Sequence, residues 1–255
     1  MRLARRSPAA MSATRAARRR ERRMDWTASV DIYCERTGPE LWSEPVNAVT
    51  NLAFFLAAWL GYALAKRSDR LDWPMRVLVG LTFAVGVGST LFHTFAQRWA
   101  GAADVIPILL FIVTYLGLAV WRYFGARRAE AVVIAVAFLF FSAGLRNAAA
   151  AAFPPALQPA TGYLPALAAI VVCGALLALR RRMVGAWLLG TGLVFTASLT
   201  FRSLDGRFCA EFPMGTHFLW HILNGVVLAL LLAAWVRHGA RETPRRAVAP
   251  APAAA

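Results

Sequence analysis

Of 255 residues, 59% are hydrophobic and the mean hydropathy is +0.53, more apolar surface than a soluble domain of this size buries. That excludes an ordinary soluble enzyme, and no phosphate-binding loop, internal repeat or soluble catalytic motif is present. The formal net charge of +15 invites a nucleic-acid partner. However, nine of the 28 basic residues crowd into residues 2–23, without the interleaved aromatics that stack on bases.

Residues 1–24 read as an Arg-rich disordered tail. They lack the apolar core of a secretory signal and suit anionic lipid headgroups. Met11 and Met24 are alternative starts, so the tail is expected to be absent from, or unimportant in, the mature protein. Apolar runs then recur at 46–65, 76–97, 103–122, 130–150, 162–180, 183–203 and 214–236, each long enough to cross a hydrocarbon core of about 30 Å. The fifth is marked by Pro154, Pro155, Pro159 and Pro165 crowding its entrance. The pattern predicts an all-α membrane protein, a seven-transmembrane helix bundle over 25–238, with a disordered Ala/Pro-rich tail over 239–255.

Against this background four polar side chains stand out in pairs, Ser89 with His93 and His217 with His221. Residues four apart share a helix face, and an ionisable group at membrane depth is by default functional. If the spans alternate, His93, Asp104, His217 and His221 all fall on the N-terminal side of the membrane. Three imidazoles with one open position are the protein half of a catalytic zinc site. Asp104 is the acid placed to accept a proton from water, and Ser89 is a donor for an oxyanion. These parts describe metal-assisted acyl hydrolysis.

Outside residues 1–23, fourteen basic residues lie on the side opposite the histidines and five (Arg36, Arg98, Arg146, Arg202, Arg207) on theirs. That balance turns the histidines outward and the C-terminus to the cytoplasm. With the Arg- and Ala-rich composition, it points to a multi-pass protein of a bacterial inner membrane with its site toward the periplasm. Cys34 and Cys209 share the histidine side, where an oxidising compartment would let them pair. Asp31, Glu35, Glu40 and Glu44 precede the first span. They read either as oxygen ligands for calcium or as a solvated acidic segment.

The ordered set CE (Cys34, Glu35), EPxN (Glu44, Asn47), SxxFH (Ser89 to His93), DxxP (Asp104 to Pro107), DxxxC (Asp205 to Cys209) and HxxWH (His217 to His221) resembles the alkaline ceramidase family. That family belongs to a superfamily of seven-span hydrolases and receptors. The resemblance implies an amidase that cleaves the N-acyl bond of ceramide, a sphingolipid, to a sphingoid base and a fatty acid. It implies zinc on His93, His217 and His221, Asp104 orienting and deprotonating the water, and Ser89 stabilising the oxyanion. It further implies a Cys34–Cys209 disulfide and a calcium site including Asp31, Glu35 and Glu44. The segment DIYCERT departs from the family's DWCExN, displacing Asp31 and putting Thr37 where Asn is expected. Rival functions are a lipid acyl-ester hydrolase and a metal-stabilised seven-span receptor or sensor with little catalysis. The expected partner is a membrane lipid substrate, with no nucleic acid and no obligate protein.

Overall fold

Nine helices account for most of the described residues, which in this computed structural model are 25–152, 158–180 and 182–239. They are α1 (Pro45–Thr50), α2 (Leu52–Arg67), α3 (Trp73–Phe95), α4 (Arg98–Tyr123), α5 (Arg128–Ala152), α6 (Gln158–Thr161), α7 (Leu164–Leu179), α8 (Met183–Leu204) and α9 (His217–His238). No strand occurs among the described residues beyond one isolated bridge between Ser29 and Gln97. The expected tail over 1–24, and the C-terminal tail from 240 onward, lie outside the described residues.

Six segments are long and apolar enough to cross a membrane: Pro45–Arg67, Trp73–Phe95, Arg98–Tyr123, Arg128–Ala149, Met183–Arg207 and His217–His238. The chain is a helical membrane bundle. The expected span at 162–180 is α7, a helix of 16 residues with Pro165 in its first turn. At 1.5 Å per residue it covers about 24 Å, short of a full crossing.

Sequential helices pack on one another from α2 to α5 and from α7 to α9, and α9 closes the ring by packing on α2. This closure brings the histidine of α3 to the pair on α9. Asp72 caps α3 by accepting from Met75 N at 3.1 Å. At the other end Ala96, left-handed at φ 45°, turns the chain directly into α4. The segment before α1 lies across this turn, with Val30 N donating to Ala96 O at 2.7 Å and Trp99 N to Trp26 O at 3.0 Å.

Pro107 stands inside α4. A proline there supplies no N–H to the carbonyl four residues back, which is that of Ala103. The same carbonyl is where α3 comes closest: a Cβ on Gly88 would lie 2.0 Å from Ala103 O and 3.0 Å from Asp104 Cα. Only glycine permits this approach, which sets Ser89 beside Asp104.

Candidate metal centre

His93 lies in the last turn of α3 and His217 opens α9, with His221 one turn on. Their ring centroids are 4.6 to 5.2 Å apart, and one ligand nitrogen of each lies within 4.8 Å of the others. Each residue is 1% exposed. Buried polar atoms are almost always satisfied, yet His93 Nε2, His217 Nδ1 and His221 Nε2 have no hydrogen-bond partner among the described residues. Three orphaned imidazole nitrogens converging in one place fit a metal ion.

The opposite ring nitrogens of two of these histidines are held. His93 Nδ1 is 2.6 Å from Glu44 Oε2, and His221 Nδ1 is 3.0 Å from Thr50 Oγ1. Such outer contacts fix the tautomer and ring orientation of a metal-binding histidine. His217 is held differently, stacked on the Tyr33 ring at 3.8 Å.

Ser89 lies one turn before His93 on α3, and the close approach at Gly88 puts it beside Asp104, whose Oδ1 is enclosed and has no partner. Beside them lies an apolar cavity lined by Phe54, Val85, Phe111 and Ile170, and a second one reaching Ala119 adjoins it across Phe111, Ile112, Ala166, Ile170 and Leu231. Together they form an apolar trough that follows α4 from Asp104 to Ala119, about 22 Å.

The acids expected for calcium have protein partners or face outward. Asp31 is exposed, Glu35 accepts from Val46 N and Asn47 N at 2.6 and 2.8 Å, and Glu44 is taken by His93 and by Arg36 Nε at 2.5 Å. Glu35 thus caps α1, whose own N-cap side chain does not, and Glu44 meets a histidine; calcium on Asp31, Glu35 and Glu44 stays a proposal. Burial raises the carboxyl pKa of both, opposed at Glu44 by Arg36 and at Glu35 by the two α1 amides. If Glu44 holds His93, Glu44→Gln lowers metal affinity by about ten- to a hundredfold. Metal competition against a chelator measures this, and an unchanged affinity would refute the role.

Three further residues were given no role at the site by the sequence. Arg202, counted there as a loop charge, lies within α8 over the rings of Trp220, Tyr163 and Tyr33 at 4.9, 5.3 and 5.9 Å. Its charge reaches Asp104. Thr50 is the partner of His221 described above. Asp205, 3% exposed, accepts from Thr216 N and His217 N at 2.7 and 2.9 Å and from Cys34 N at 3.2 Å. A carboxylate at a helix N-terminus stabilises it, so Asp205 fixes where His217 starts α9. Beside it a disulfide joins Cys34 to Cys209, with Cα atoms 5.0 Å apart. Its signal in the sequence was the DxxxC spacing to Cys209.

A polytopic helical bundle with a buried three-histidine cluster, an adjoining carboxylate and an apolar trough defines a class of intramembrane protein. Within that class the chain matches the Ceramidase family over residues 26–249 and belongs to it. No curated protein matches the chain individually.

Proposed function

We propose that the chain is a zinc-dependent amidase that hydrolyses the N-acyl bond of ceramide, or of a ceramide-like N-acyl lipid, to a free amine base and a fatty acid. The observation that carries this reading is the convergence of three enclosed, unpartnered imidazole nitrogens, His93 Nε2, His217 Nδ1 and His221 Nε2, with Ser89, one turn from His93, and the enclosed Asp104 lining an apolar cavity. Membership of the Ceramidase family supports amide hydrolysis as the reaction.

His93, His217 and His221 would hold the metal, and a bound zinc ion supplies Lewis-acid activation of water and carbonyl. Asp104 accepts a proton from the attacking water as the new C–O bond forms, and returns it to the amine nitrogen as the C–N bond breaks. Ser89 donates to the carbonyl oxygen as negative charge develops there. Arg202 holds a positive charge near Asp104, and its ring neighbours keep it in place. The trough takes the acyl chain and excludes water from the far side of the bond.

The basic-residue balance supports a periplasmic-facing site in a bacterial inner membrane, and the Cys34–Cys209 disulfide suits that compartment. The basic flanks are assigned to anionic headgroups, and residues 25–238 to one catalytic domain. The test is incubation of purified, metal-analysed protein with a total lipid extract, followed by mass spectrometry. The reading expects an N-acyl lipid to disappear as a free amine and a fatty acid appear. Loss of ester-linked chains instead would replace amidase by esterase, and no loss of any acyl chain would favour a receptor.

A further inference from the structure

Asn224 is a lone amide in the apolar run of α9, three residues beyond His221 and so on the same face, about one turn or 5 Å deeper. It lines the cavity with Ser89, Asp104, Val85 and Trp220. A polar side chain inside a membrane bundle ordinarily serves by bonding a neighbouring helix. Asn224 does not: no described residue hydrogen-bonds its amide. The carbonyl of Trp220, one turn back, accepts instead from the Ser198 hydroxyl at 3.2 Å. Deeper in the trough Tyr115 is committed to Tyr123 and to the Leu231 carbonyl, at 3.2 and 3.1 Å. Asn224 is thus an unpaired donor and acceptor facing the cavity between the reacting groups and the apolar trough. An unpaired amide in such a place is costly unless a ligand satisfies it.

We propose that Asn224 is a specificity-determining residue that hydrogen-bonds a hydroxyl carried by the lipid within a few bonds of the scissile amide. This rests on the amidase reading for the position of that bond. A site built to bond a hydroxyl discriminates against the analogue that lacks it, because its own polar group is then left unpaired. The hydroxyl can stand on the acyl side or on the amine side of the amide, and the test separates the two.

Three N-acyl lipids of matched length are compared, hydroxylated near the amide on the acyl side, on the amine side, or on neither. The wild type is expected to favour one hydroxylated lipid by about tenfold or more in kcat/KM. Asn224→Val brings that ratio to about one, whereas Asn224→Thr, which has the shape of Val but keeps a hydroxyl, retains several-fold preference. Equal turnover of all three lipids by the wild type, or full preference in the Val variant, would overturn the proposal. A second arm measures binding of hydroxylated and plain fatty acids and amines by displacement of a fluorescent fatty acid, which needs no turnover. Preference in binding that Asn224→Val removes, with no lipid hydrolysed, upholds the proposal and sinks the amidase reading. Hydrolysis without any preference does the reverse.

Discussion

Replacing Asp104 by Asn is expected to lower kcat for N-acyl lipid hydrolysis by about a hundred- to ten-thousand-fold while the purified variant keeps its full metal content. Asn has the size of Asp, so α3 and α4 keep their close approach at Gly88. What the amide cannot do is take and return a proton. Asp104 stands outside the cluster of nitrogens that meet within 4.8 Å, so its loss leaves the metal's ligands intact. Elemental analysis and turnover on the same sample check both halves. Normal turnover would remove Asp104 from the mechanism, and loss of the metal would make it a ligand.

His217→Ala is expected to take metal content and activity to background together. Two of three nitrogens remain, and neither His93 nor His221 has a second free ring nitrogen to offer, since Glu44 and Thr50 hold the others. The fold is insulated from this change. Asp205 grips the backbone N–H of residue 217, not its side chain, and the Cys34–Cys209 disulfide stands beside it. Melting close to that of the metal-stripped wild type is therefore predicted alongside the loss, because metal binding itself stabilises the folded state. A variant that bound metal as the wild type does would show that His217 is not a ligand.

The helices and the histidine cluster were legible in the sequence because both write a local signature. Apolar runs of membrane length show directly, and Ser89 with His93, and His217 with His221, repeat at helical spacing. Their supports were not legible, because each depends on tertiary closure. Glu44 reads as one of several acids before the first span, and only the packing of α1 on α3 brings it to His93. Arg202 reads as one more charge at a span end until α8 is seen to lay it over the rings of Trp220, Tyr163 and Tyr33. The fifth span was legible nearly in full, α7 running Leu164–Leu179 within the expected 162–180. Asn224 shares a helix face with His221, but its meaning comes from the cavity it lines.

The central claim is that the three histidines hold the zinc on which N-acyl hydrolysis depends. Stripping the purified protein with a chelator, returning zinc in increments and following free amine by mass spectrometry tests it in one titration. The account predicts that activity vanishes on stripping and returns in proportion to zinc bound, saturating at one ion per chain. Hydrolysis that persists in the stripped protein, or zinc that binds at one per chain without restoring turnover, would contradict it.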